Sequence, residues 1–220
     1  MQPIDDLERA AFAATVPAPD AAEQALASID WLVAAIETDR EEGRFSLWGL
    51  STVVDENTTK AVLDRPLFDA LHKRAGLVAS WPVGNAGLLH TYGYLLSLAP
   101  TPYGLKRERW LGDDLATALD LSDRHFMPWD GPRTLLARAT DAALNLLASG
   151  GEFSSDAVTD GRATRAVLGH ERNNSRALAY SVASAAGAAP ALVTLFPVSH
   201  ADTVLDTLKV SPACLLWNAI

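Results

Sequence analysis

The chain has 220 residues, 49% of them apolar and 20% charged, with a formal net charge of −9. Its mean hydropathy of +0.07 belongs to a globular protein and excludes whole-chain disorder, collagen and a simple coiled coil. No run of about 18 uninterrupted apolar residues is present, which predicts no spanning helix, and the acidic start with no apolar run behind it does not read as a secretory signal. A cytoplasmic protein without membrane association is expected.

The charge is unevenly placed. Residues 1–42 hold ten acids and two arginines, a balance of −8, while the rest of the chain holds 17 acids and 16 bases, a balance of −1. This predicts two parts: an acidic helical segment over 1–43, packed on an α+β body over 44–220. A chain without a broad positive field is a poor nucleic-acid binder, but a small anion needs only two or three converging bases. The single cysteine, Cys214, permits neither an internal disulfide nor a multi-cysteine zinc site, so no metal and no cofactor are expected.

In chain order, Asp20 and Glu23 have the spacing of a capping box and open a helix over Ala21–Glu42, with Leu26, Ile29, Val33 and Ile36 on one stripe and the acids on a solvated face. Phe45–Val54 reads as strand, Glu56–Leu63 as a short helix and Leu67–Arg74 as another. The glycines of residues 76–87 imply tight turns or close backbone approach. Leu88–Leu98 carries no charge; alternation sets His90, Tyr92 and Tyr94 on one face and favours a strand. A Pro102–Gly104 turn then makes Lys106–Leu111 its antiparallel partner. A helix over Asp113–Leu121, an aromatic loop around His125 and a long helix over Asp130–Ala148 follow. Glu152–Gly161 reads as a polar mobile loop, Arg162–Leu168, Arg176–Ser184 and Ala191–Val198 as strands, His200–Leu208 as a helix and Cys214–Trp217 as a terminal strand. The class is α+β: one domain with two main helices on a mostly antiparallel sheet that contains a C-terminal hairpin.

Several motifs are absent. There is no Gly-x-Gly-x-x-Gly and no Walker loop. His170-Glu171 has Asn174 where a zincin has its second histidine. Gly49-Leu-Ser-Thr-Val53 begins like a nucleophile elbow but ends in valine. His72 and His200 read as surface or helix-end residues, and Cys214 as an inert core thiol.

Three constellations remain. His90, Tyr92 and Tyr94 offer an imidazole and two phenols for acid–base work, against a plain amphipathic core face. Lys106, Arg107 and Arg109 offer a grip for a carboxylate or phosphate, against a salt-bridged outer face that meets the acidic segment with Trp110 as its anchor. Gly169–Arg176, which includes Arg172, offers further polar groups, against an asparagine turn. The expected function is a metal-independent enzyme acting on a small anionic metabolite such as an amino acid or other organic acid. His90, Tyr92 and Tyr94 are its acid–base groups, and Lys106, Arg107, Arg109 and Arg172 its anion ligands. The alternative is a non-catalytic ligand-binding or interaction domain that docks through its acidic helix. A homo-oligomer is compatible with either, and an RNA-processing fold is disfavoured by the charge balance.

Overall fold

The computed structural model describes residues 3–16, 18, 20–159, 161–184, 188–198 and 201–210. The expected strand at Cys214–Trp217, together with Cys214 itself, His200 and residues 185–187 of the hairpin turn, lies outside them. Three helices open the chain: α1 (Pro3–Ala13), α2 (Ala21–Ala27) and α3 (Asp30–Glu41). The single helix expected over Ala21–Glu42 is therefore two, because the chain breaks at Ser28 and Ile29 to let both pieces bury their stripes. Leu7, Leu26, Ile29, Leu32 and Ile36 all reach the core. The expected capping box does not form: Asp20 has a φ of 63° with no capping bond, and Glu23 instead pairs with Lys73 at 2.5 Å.

A 3-10 turn (Arg44–Leu47) and the short strand β1 (Leu50–Thr52) replace the longer strand expected over Phe45–Val54, and turns replace the helix expected over Glu56–Leu63. Helix α4 (Arg65–Ala75) has Pro66 in its first turn and ends at Gly76 in the left-handed conformation. Strand β2 (Val83–Asn85) pairs antiparallel with β1, with Ser51 opposite Gly84. Two glycines here serve close approach: a Cβ on Gly84 would collide with His72 and Phe68, and one on Gly87 would lie 2.6 Å from the Trp48 ring.

Leu88–Leu98 is not a strand; residues 86–95 form a helix, α5, which begins at Ala86–Leu88 and widens into a π-helical turn at Leu89–Gly93. Asn85 caps it by accepting the Leu88 N–H at 3.0 Å. The segment is buried on every side, against α4, β1 and the last strand of the main sheet, so it shows no polar face to mark its period. Lys106–Leu111 is likewise no partner strand. A two-pair ribbon, β3 (Pro100–Thr101) with β4 (Gly104–Leu105), turns the chain into helix α6 (Glu108–Leu111), followed by α7 (Asp114–Ala118).

Helix α8 (Leu135–Ser149) starts later than its proline suggests, because Thr134 is the cap and accepts the Ala137 N–H at 3.1 Å. The sheet that follows has the order β5-β6-β7-β8: β5 (Phe153–Thr159), β6 (Arg162–Leu168), β7 (Arg176–Ala183) and β8 (Ala191–Val198), all antiparallel. Strand β5 occupies the segment expected to be a mobile loop; it is a sheet edge, with Ser154 and Asp156 on its exposed face. One face of the sheet (Val167, Ala177, Ala179, Leu192, Leu195) closes the helical core, and the other (Ala166, Leu168, Leu178, Tyr180, Val193) forms a second small core with Leu208 of α9 (Ala201–Val210). The protein is α+β, as its sequence pattern implies. No helix among the described residues is long and apolar enough to cross a membrane.

Candidate functional site

Helical geometry sorts the three expected acid–base residues. Residues four apart share a helix face, whereas residues two apart do not. His90 and Tyr94 therefore stack, with ring centroids 4.9 Å apart, while Tyr92 points to the opposite side. There its hydroxyl donates to Asp39 Oδ2 at 2.5 Å. Asp39 is fully buried and not part of a solvated acidic face. Its Oδ1 also accepts from Arg44 at 2.8 Å and from Thr134 at 2.5 Å. Burial pushes the Asp39 carboxyl above its ordinary value despite these donors, and burial with the adjacent carboxylate pushes Tyr92 well up. This satisfied network ties α3, α5 and α8 together and leaves Tyr92 no free proton to exchange.

The basic island divides in the same way. Arg107 turns outward and pairs with Glu8 of α1 at 2.6 Å, and the wholly buried Trp110 donates its indole N–H to the His90 carbonyl at 2.6 Å. That is the salt-bridged anchor reading. Arg109 turns inward. Its guanidinium lies 4.9 Å from the Tyr94 ring centre, 5.5 Å from Phe196 and 6.0 Å from Trp110, and it donates to the Thr194 hydroxyl at 3.3 Å. Among the described residues no carboxylate pairs with it. Lys106 lies 5.6 Å from the same Tyr94 ring and is held by the buried Asp55 carboxylate at 2.6 Å. Burial alone would raise Asp55, but Lys106 and the Thr58 and Asn57 amides hold it below the ordinary value. Arg172 is exposed in the β6–β7 turn, where Asn173 and Asn174 both have positive φ, and it has no contact with this cluster.

Sequence reasoning did not assign a role to Ser51. Its Oγ lies 3.0 Å from His90 Nε2, and both residues are buried. His90 Nδ1 has no hydrogen-bond partner of good geometry. Burial, then Arg109 and Lys106, hold His90 well below the ordinary histidine value, against the Val193 carbonyl, so the ring is neutral at physiological pH. The one signal in the sequence is the position of Ser51 inside the incomplete elbow pattern of residues 49–53.

His72, expected at the surface, is buried in α4 with both ring nitrogens engaged. Among the described residues no three His, Cys, Asp or Glu side chains converge as a metal site requires. A cleft of about 300 Å³ lies elsewhere, between the α1–α2 connection and α4, lined by Val16, Asp20, Glu23, Pro66, Asp69 and Lys73 among others. Its Glu23 and Lys73 satisfy each other. Comparison with protein-family models, curated proteins and solved structures finds no match to this chain.

Proposed function

We propose that the protein is an enzyme acting on a small organic acid, with the substrate carboxylate held by Arg109 and protons moved by His90 and Tyr94. The observation that carries this reading is the Arg109 guanidinium, enclosed by three aromatic rings with no carboxylate partner among the described residues, beside a neutral imidazole with one unpartnered nitrogen. Buried polar groups are nearly always paired, so an unpaired one calls for an explanation, and an arriving ligand is one such explanation. The helix that carries His90 and Tyr94 has a π turn, a local irregularity frequent at functional sites. A neutral histidine is a competent base, and a phenol under a guanidinium is a competent donor to a developing oxyanion. Lys106 supplies positive field at the same ring, whereas Arg107, Arg172 and Tyr92 drop out of the proposed site. The interaction-domain alternative loses its main support, because Glu8, Glu23, Glu37 and Asp39 of the acidic segment pair with Arg107, Lys73, Arg74 and Arg44 of this same chain.

The test is thermal denaturation of the wild-type protein and of Arg109→Met against amino acids, keto acids, dicarboxylates and phosphorylated metabolites. A bound carboxylate at 100 times Kd adds about 2.7 kcal/mol of stability in the wild type and none in the variant. Equal stabilisation of both proteins refutes the assignment.

A further inference from the structure

We propose that Ser51 is the nucleophile of this site, and that the reaction is acyl transfer from an ester, thioester or amide of a small acid that carries a second, free carboxylate. The inference rests on the reading of Arg109 as the carboxylate anchor and adds to it the bond that is broken.

The geometry starts with one hydrogen. The Ser51 hydroxyl has two acceptors within reach, His90 Nε2 at 3.0 Å and the Thr52 carbonyl at 3.5 Å. In the proposed arrangement the hydroxyl proton goes to the shorter contact, so that Nε2 presents its lone pair to Ser51 and the ring carries its own proton on Nδ1. The Val193 carbonyl of β8 acts on the ring as an acceptor, but Nδ1 makes no hydrogen bond of good geometry. A serine hydroxyl within hydrogen-bond distance of a neutral imidazole is the arrangement that activates an alcohol. Burial, then the cations at Arg109 and Lys106, keep the imidazole unprotonated before the reaction.

In the reaction, Ser51 Oγ forms a bond to the acyl carbon as its proton passes to His90 Nε2. The bond from that carbon to the leaving oxygen, sulfur or nitrogen then breaks, and the Nε2 proton goes to the leaving group. Water, deprotonated by the same nitrogen, hydrolyses the Ser51 ester and returns the enzyme with a free acid. No oxidant or reductant enters. Ser51 and His90 are closed from solvent, so substrate entry needs the β1–β2 ribbon to move. That ribbon is three residue pairs long, and local opening of so short an element takes far less free energy than unfolding.

Two measurements test the proposal. Long-range proton–nitrogen NMR of the wild-type protein labelled with ¹⁵N-histidine reads the His90 tautomer with no substrate present. A proton on Nδ1 is expected, and a proton on Nε2 overturns the assignment, because the base would then have no lone pair for Ser51. The second is labelling by a fluorophosphonate and by the p-nitrophenyl monoester of succinate, read by peptide mass. The expected result is one adduct, on Ser51, lost in Ser51→Ala and slowed about 100-fold or more in His90→Gln. The succinate monoester should react faster than neutral p-nitrophenyl butyrate in the wild type but not in Arg109→Met. Labelling at an equal rate in His90→Gln overturns the proposal, as does an unmodified Ser51 in a protein that binds carboxylates through Arg109; that second outcome leaves the Arg109 anchor standing. Adduct on Ser51 without preference for the anionic ester supports the nucleophile and removes the anchor.

Discussion

Two buried histidines flank one small ribbon, and they differ in what surrounds them. His72 lies behind Gly84 and His90 against Ser51, and Gly84 and Ser51 are partners across β1 and β2. Each is about 3% exposed or less. His72 Nδ1 meets the Phe68 carbonyl at 2.8 Å, and its Nε2 accepts the Asn85 N–H at 3.2 Å. Its neighbours are Phe68 and Trp81, themselves packed edge to face, and its polar valences are closed. His90 has one closed nitrogen, one open nitrogen and two cations beside it. In the proposed reading, what sets His90 apart is not burial but incomplete satisfaction next to a cation that has no carboxylate partner among the described residues.

The comparison breaks most sharply on removal of each ring. His72→Ala leaves the Phe68 carbonyl and the Asn85 N–H unpaired in a dry core and opens a cavity behind Gly84, a loss of about 3–4 kcal/mol. His90→Gln keeps a polar group within reach of Ser51 and loses about 1 kcal/mol. Urea denaturation of both variants measures the two losses. Equal losses would erase the distinction between a structural and a functional histidine here.

Acid sharpens it next. Burial leads the forces that hold both rings below the ordinary histidine value of 6.5, His90 by more than His72. The unfolded chain thus takes up protons that the folded chain refuses. Stability from these groups is complete above about pH 6.5 and falls as the pH drops, by up to about 1.4 kcal/mol per pH unit for each ring. Asp39 acts in a lower range with the opposite sign. Its raised carboxyl makes the folded state the better proton acceptor there, so its contribution is present below the unfolded value and lost as pH rises through the folded one. Stability measured from pH 7 to 5 in His90→Gln should show a shallower decline than the wild type, and an unchanged slope would place His90 in contact with solvent.

How much of this was readable beforehand follows from the same contrast between closed and open surroundings. Strands β6 and β8 have the bounds expected from the sequence, because short runs rich in apolar residues are set off by polar or turn residues, and α4 and α8 lie where their apolar stripes put them, each with one face toward the core. Helix α5 has no such face. Its tyrosines and its uncharged run resemble strand residues, and only the Asn85 cap and the four-residue spacing of His90 and Tyr94 carry the helical signal. The juxtaposition of Arg109 with His90 and Tyr94 was anticipated from a hairpin that does not exist. It arises instead because the short β3–β4 ribbon returns the chain across the π turn, a tertiary fact with no local signature. Ser51 was passed over because its surroundings fail the elbow pattern, and a partner 39 positions away cannot be read from spacing.

The smallest effect separates Arg107 from Arg109. The Arg107–Glu8 pair lies at the margin of the core, with side chains 14% and 40% exposed, and Arg107→Met should cost about 1 kcal/mol or less. Arg109 is held among rings, with a hydroxyl as its only hydrogen-bonding partner among the described residues. If the cage exists to position a cation for a ligand, the unliganded fold carries an uncompensated charge. Methionine, which fills the same space and packs well on aromatic faces, should then leave stability unchanged or raise it by about 0.5–1 kcal/mol, as removal of strained functional groups commonly does. If the cage is a structural cation–π clamp, the same change should cost about 0.5–2 kcal/mol. The sign of that one difference, measured by denaturation without any ligand, decides whether the aromatic cage serves the fold or the substrate.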